Sequence, residues 1–301
     1  MQKVIVIAGP TGVGKTSLSI RLAKALHGNV ISADSMQVYR EMAIGTAKIT
    51  PKEMDGVPHY LVDCYSYKED YNVKVFQEKA RQYIKQMEEE HILPIICGGT
   101  GLYMKSVLYD YEFLEQKKDE EFISFLQALS DGQLWSILKL VDEAATKNIH
   151  PHNRQRMVRA ISMSHDGTKK SEVIAKQEHT MLYDVYCIGL TMDRERLYER
   201  INHRVDRMME AGLLNEVEQL LATDNVWDLQ SMKSIGYKEW RAYFEKEMSK
   251  EACVEAIKKN SRNFAKRQYT WFHNQMPMHW YDIEDETWYE TLLKDIKNWL
   301  K

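Results

Sequence analysis

The chain has 301 residues, with 41 Lys plus Arg against 44 Asp plus Glu and 44% hydrophobic residues. That length suggests about two domains with a sizeable core and excludes a small stapled scaffold. Cys64, Cys97, Cys187 and Cys253 are scattered without Cys-x-x-Cys or Cys/His spacing, which predicts reduced thiols, mostly in the core, and no structural zinc.

No charged segment followed by an apolar stretch opens the chain, and no apolar run approaches the roughly 20 residues of a membrane span. The expectation is a soluble, cytoplasmic protein, with a monomer as the default. The net charge of −3 would argue against a nucleic-acid partner if charge were evenly spread, but it is not.

The first element is an apolar strand over residues 4–8, which runs into Gly9-Pro10-Thr11-Gly12-Val13-Gly14-Lys15-Thr16 and then a helical pattern. This is a phosphate-binding loop of the nucleotide-binding, ATP-binding type in its required setting of strand, glycine turn and helix. Glycines let the backbone aim several N–H groups at one anion. Lys15 adds a point charge for a terminal phosphate, and the Thr16 hydroxyl suits Mg²⁺.

Leu18, Leu22, Ala25 and Leu26 repeat at helical spacing, and residues 29–33 read as a second strand ending at Asp34. Val73, Phe76, Ala80, Tyr83, Ile84 and Met87 mark a further helix. A strand at Ile95-Ile96-Cys97 then meets Gly98-Gly99-Thr100-Gly101. Strands alternating with helices imply a parallel sheet that binds ligands at its carboxyl ends.

From Glu112 the texture becomes charged and then helical through Ala175, before residues 184–192 resume a strand. The remainder reads as helical, with Gly212 as a helix stop and Trp288, Leu292, Ile296 and Trp299 on a last amphipathic face. The predicted class is therefore α/β: a P-loop NTPase-like parallel sheet flanked by helices. Residues 1–113 and 184–301 form this core with a helical C-terminal region, and residues 114–183 form an inserted all-helical domain.

A nucleotide hydrolase of this type carries an acid at the end of a strand beside the loop. The candidate strand here ends in Cys97-Gly98-Gly99 instead. The acid at a strand end is Asp34, which could take a proton from a nucleophile or could cap the following turn. Spacing alone leaves the two roles equal.

Two segments are basic. His150-Pro151-His152-Asn153-Arg154-Gln155-Arg156-Met157-Val158-Arg159 contains no acid, and Arg156 and Arg159 lie one helical turn apart. Lys258, Lys259, Arg262, Lys266 and Arg267 lead to Tyr269, Trp271 and Phe272. Basic residues beside aromatics suit a phosphodiester chain with unstacked bases, although Trp271 and Phe272 taken singly favour a core position. A polyanionic second substrate accounts for both segments.

Together these residues resemble the tRNA dimethylallyltransferase family, also called tRNA isopentenyltransferase. The segments that carry the likeness are GPTGVGKT from Gly9, ISADSMQVYR from Ile31, IGTAK from Ile44 and CGGTGLYMKSVL from Cys97. They continue with HPHNRQRMVRAI from His150, MKSIGYKE from Met232 and RNFAKRQYTWF from Arg262.

The resemblance implies transfer of a dimethylallyl group from dimethylallyl diphosphate to the exocyclic N6 of the adenosine 3′-adjacent to the anticodon in tRNA, with Mg²⁺. It assigns Asp34 as general base, with Lys15 and Thr100 assisting the reacting centre. Residues Gly9 to Thr16 would hold the diphosphate, with Thr16 on the metal. Asp34, Ser35, Met36 and Gln37 would line the base pocket, and Gln155, Arg156, Met157, Val158 and Arg159 would lie along the anticodon stem-loop. The alternative from another class is a P-loop nucleoside or nucleotide kinase, which should carry an acid at the third strand's end.

Overall fold

The computed structural model describes residues 1–113, 119–176 and 180–301, without the side chains of 174–176. Among the described residues, six strands form one sheet: β1 (Lys3–Ala8), β2 (Gly28–Ala33), β3 (His59–Tyr60), β4 (Leu93–Gly98), β5 (Asp184–Thr191) and β6 (His279–Asp282). Their order is β3-β2-β4-β1-β5-β6, and every neighbouring pair is parallel. A parallel strand covered on both faces must be apolar throughout. β1 meets this condition, with Val4, Ile5, Val6, Ile7 and Ala8 all fully buried.

Helices α1 (Lys15–Leu26), α2 (Pro51–Met54), α3 (Val73–Glu89) and α4 (Gly101–Leu108) connect the first four strands or follow them. In α1, Leu18, Ser19, Leu22 and Ala23 are buried. Asn72 caps α3 by accepting from the Lys74 and Val75 N–H groups.

After the insertion come α9 (Arg194–Glu210), α10 (Leu213–Leu220), α11 (Arg241–Phe244), α12 (Lys250–Gln275) and α13 (Trp288–Leu300). Gly212 ends the run of α9 and opens α10 in a left-handed conformation, φ 96°. The C-terminal region is not wholly helical as expected: β6 joins the sheet beside β5, and β3 extends the other edge. With four and two residues respectively, these strands are too short for an alternation to show.

The chain divides into two compact units, one formed by Met1–Leu108 and Met181–Lys301, the other by Tyr109–Thr180. The expected boundaries at 114 and 183 thus move to 109 and 180. Asp110 N–H donates to the Thr180 carbonyl and Thr180 N–H to Asp110 Oδ1, which closes the smaller unit at that pair. Leu182 N–H donating to the Leu108 carbonyl belongs to the larger unit. Residues 114–118, the start of the expected insertion, lie outside the described residues.

The smaller unit contains α5 (Glu120–Ala128), α6 (Asp131–Val141), α7 (Arg154–His165) and α8 (Lys170–Lys176). Leu126, Leu134, Leu138, Ala145, Ile149, Met157, Ala160 and Ile161 form its own core. Buried Asp142 ties its connections, receiving the Ala145 N–H on Oδ1 and the Ser171 N–H on Oδ2.

Candidate active site

β1 delivers the phosphate loop at its carboxyl end. Gly9 has φ 142°, and a Cβ there would lie 2.8 Å from the Leu190 carbonyl oxygen of the neighbouring strand. Gly14, at φ 103°, caps α1 with no side chain, so the first-turn N–H groups stay available to an anion. Pro10 and Val13 are buried, so they serve the loop through their backbone.

Lys15 Nζ donates to the Gly9 and Pro10 carbonyls at 3.0 and 2.8 Å. Burial of its ammonium lowers its pKa to about 8, with Arg204 adding to that fall while the nearby Cys97 and Asp34 oppose it. Thr16 is exposed and lines the same cavity. Cys97, Cys187 and Cys253 are buried and Cys64 is exposed. Burial pushes the Cys97 thiol up to about 11, with Lys15 and the Ser19 hydrogen bond opposing that rise.

The cavity over the loop has a volume of about 700 Å³ and includes Thr11, Lys15, Thr16, Asp34, Gln37 and Arg204 in its wall. A second cavity of about 330 Å³ is lined by Asp34, Ser35, Met36, Thr100, Lys233 and Arg267, among others. Both share Thr11, Asp34, Gly99, Arg204, Met208, Phe264 and Gln268. The two chambers therefore meet at a wall containing one carboxylate and one guanidinium.

Of the two roles considered for Asp34, the cap is formed. Asp34 Oδ1 accepts from the Met36 and Gln37 N–H groups at 2.9 and 3.3 Å, capping the turn after β2. Its Oδ2 has no hydrogen-bond partner among the described residues, and the carboxylate acts electrostatically on Lys15 and Arg204. β2 is not next to β1, since β4 lies between them. The carboxylate still faces the loop cavity because the chain turns at Ser35 immediately beyond the strand. Gln37 lines the loop cavity rather than the second one, and its Nε2 donates to the Thr46 and Ala47 carbonyls.

β4 ends without an acid, and none would fit at Gly98. A Cβ there would lie 2.4 Å from the Ala33 carbonyl oxygen. This removes the strand-end carboxylate that the kinase alternative requires. The following turn instead presents Thr100 to the second cavity, with Thr100 N–H donating to the Ala33 carbonyl.

Two central residues escaped the sequence reading. Arg204, on α9, donates Nη1 to Thr11 Oγ1 at 3.1 Å and Nη2 to the Thr46 carbonyl at 3.2 Å. Burial lowers its pKa, and Asp34 opposes that. Its signal was present as the row Arg200, Arg204 and Arg207 beside the apolar face of α9. Gln268, buried on α12, accepts the Thr11 N–H at 2.8 Å and donates to the Gly99 carbonyl at 3.0 Å. A neutral amide inside a helix carries no sequence signal of such a bridge.

The basic segments divide. Arg154 serves the fold of the smaller unit, donating to the Leu129 carbonyl and pairing with Asp131. Gln155, Arg156 and Arg159 are exposed, and burial lowers the pKa of Lys170, with Arg156 and Arg159 adding to the fall. Met157, expected along the RNA, is fully buried, and Val158 packs against the same core. Their side chains thus support the helix that displays the charges.

On α12, Lys258 is held by Asp206 and Glu255, and Arg262 by Asn202. Lys266 and Arg267 are exposed and line a shallow groove with Trp271 and Asn274. Trp271 packs where a Cβ of Gly101 would stand, 2.1 Å from the ring, while Phe272 is core.

A phosphate loop lacking the strand-end acid, meeting a second chamber at a wall with one carboxylate, fits a group transferase acting on a phosphorylated donor. The profile of the IPP transferase family matches residues 37–275, and the chain belongs to that family. It is 51% identical over 289 residues to a tRNA dimethylallyltransferase of Bacillus anthracis, covering 94% of this chain and 92% of the relative.

Among solved structures, it is similar to a tRNA isopentenylpyrophosphate transferase of Staphylococcus epidermidis, with 41% identity, TM-score 0.73 and coverage of 100% and 99%. The corresponding Bacillus halodurans enzyme gives 39% identity, TM-score 0.76 and coverage of 100% and 97%. A eukaryotic dimethylallyltransferase acting on tRNA gives 30% identity, TM-score 0.82 and coverage of 99% and 78%.

Proposed function

We propose that this protein transfers the dimethylallyl group of dimethylallyl diphosphate to the exocyclic N6 of the adenosine 3′-adjacent to the anticodon of tRNA, releasing diphosphate. The observation that carries the reading is the meeting of the two chambers at Asp34. The diphosphate rests on the N–H groups of Gly9 to Thr16 with Lys15, and its allyl carbon points to the shared wall. The adenine, turned out of its stack, enters from the second chamber past Ser35, Met36 and Thr100.

An adenine amine is a weak nucleophile because its lone pair is delocalised, so it needs positioning and a base. As the N6–C1 bond forms and the C1–O bond breaks, Asp34 Oδ2 takes the N6 proton. Lys15, the loop amides and Arg204 take up the charge gathering on the leaving diphosphate.

Mg²⁺ fits this reading. Among the described residues no group of three His, Cys, Asp or Glu could hold a metal by itself. The Thr16 hydroxyl with diphosphate oxygens is the kind of sparse, oxygen-only set that Mg²⁺ accepts while keeping several waters. When bound, the ion supplies positive charge to the departing group.

Gln155, Arg156 and Arg159 follow the tRNA backbone, and Lys266, Arg267 and Trp271 offer a second place for phosphate and base. The protein acts in the cytoplasm as a monomer. Among the described residues no helix is long and apolar enough to cross a membrane.

The test is mass spectrometry of unmodified tRNA incubated with the protein, Mg²⁺ and dimethylallyl diphosphate. One dimethylallyl unit on a single anticodon-loop adenosine is expected. ATP-dependent phosphorylation of a small acceptor, with no change to tRNA, would overturn the reading.

A further inference from the structure

Two sequence segments that stand out, IGTAK from Ile44 and SIGYK from Ser234, line the two cavities, and among the described residues their side chains make no hydrogen bond to Lys15, Asp34, Thr100 or Arg204. Both converge on Glu216 of α10. Its Oε2 accepts the Ala43 and Ile44 N–H groups at 2.9 and 2.7 Å. Its Oε1 accepts the Gly45 N–H at 3.0 Å and the Tyr237 hydroxyl at 2.6 Å.

The loop so gripped continues to Thr46. The Thr46 carbonyl takes Arg204 Nη2 at 3.2 Å and Gln37 Nε2 at 3.3 Å, and the Ala47 carbonyl takes Gln37 Nε2 at 3.1 Å. Packing locks the same contact. A Cβ at Gly45 would lie 2.5 Å from the Tyr237 ring, and one at Gly236, φ 97°, would lie 3.2 Å from the Gly45 carbonyl oxygen. Burial and the Glu216 carboxylate both raise the Tyr237 pKa, so the phenol stays a donor.

We propose that Glu216 is a positioning residue for the transfer, fixing the 43–47 loop so that its Thr46 carbonyl aims Arg204 at the wall between the two chambers. All four groups facing Glu216 are donors, three of them backbone N–H groups that cannot reverse. Only a carboxylate offers two acceptor oxygens, whereas an amide would set an NH₂ against at least one N–H. Glu216→Gln is nearly isosteric, so it tests charge and acceptor count rather than volume. The role rests on the transfer reading only for its benefit to chemistry; its effect on Arg204 is independent of that reading.

The experiment is a double-mutant cycle of Glu216→Gln and Arg204→Gln in the full chain, read on affinity for inorganic pyrophosphate and on single-turnover transfer to tRNA. Melting temperature is recorded for each variant, and Tyr237→Phe serves as a milder variant that removes one donor. Glu216→Gln should weaken pyrophosphate and slow transfer by about 10- to 100-fold, as a misplacement of about 1 Å does. On the Arg204→Gln background the same change should have less than about threefold further effect, since the two act as one unit.

Effects that multiply in full on pyrophosphate affinity, or a Glu216→Gln protein that differs from wild type only in melting temperature, would overturn the positioning role. A wild-type protein that binds pyrophosphate but transfers nothing would instead remove the proposed function, leaving the pyrophosphate cycle to decide the role of Glu216.

Discussion

Arg204 donates Nη1 to Thr11 Oγ1 at 3.1 Å, joining α9 to the phosphate loop across 193 positions of sequence. The guanidinium is buried and shares its wall with Asp34. In the transfer proposed above, a desolvated donor beside a departing anion loses little to reorganisation and is not screened as a surface arginine would be. Arg204→Gln should therefore lower the single-turnover rate by about 10² to 10³. tRNA affinity should stay close to wild type. A comparable loss of tRNA affinity, measured by filter binding, would place Arg204 on the RNA instead.

Asp34→Asn keeps an acceptor for the Met36 and Gln37 N–H groups and removes the proposed base. The chemical rate should fall by about 10² to 10⁴, the usual loss for a general base, with tRNA affinity near normal. Rapid-quench single-turnover kinetics measure it, and an unchanged rate would leave the residue with its capping role alone.

Burial sets the Lys15 pKa at about 8, below the ordinary lysine value, so the free protein loses this charge as pH rises through that region. A bound diphosphate favours the ammonium and raises its pKa again. Affinity for inorganic pyrophosphate should thus be highest below pH 8 and decline above it, with proton uptake on binding, as calorimetry in buffers of different ionisation enthalpy would detect. In Lys15→Ala the affinity should be weak and this component of the pH dependence absent. A decline that persists in Lys15→Ala would assign it to another group.

Arg156 and Arg159 are exposed on α7, while Met157 between them is in the core of the smaller unit. Replacing both arginines by Ala should weaken tRNA binding and flatten its log–log salt slope by about 0.7 to 0.9 per lost phosphate contact. Met157→Ala should act differently, destabilising the unit by about 2–5 kcal/mol, as removal of a buried large side chain does. Salt titrations and thermal melts separate the two.

Much of this arrangement could be read from the chain. The phosphate loop, the strand ending at Asp34 and the absence of an acid after Cys97 are local patterns with a local cause. The turn that caps on Asp34 Oδ1 is likewise local, although the absence of a partner for Oδ2 among the described residues is not visible in one dimension.

What escaped reading were pairings made at a distance. Gln268 and Arg204 meet Thr11 from α12 and α9, and β6 gains its status from pairing with β5 rather than from its four residues. Residue type also misled where one helix serves two surfaces. Met157 and Val158 share a sequence segment with Arg156 and Arg159, yet they point to the interior.

Asp34 is anchored by one oxygen to two main-chain amides 2.9 and 3.3 Å away, so the carboxyl group cannot swivel freely. Pin and working tip are the same three atoms. A longer acid such as Glu could keep the pin or keep the tip, but reaching both from a backbone fixed by the end of β2 leaves no slack. In the transfer proposed above, the side chain's length is therefore as much a requirement as its charge.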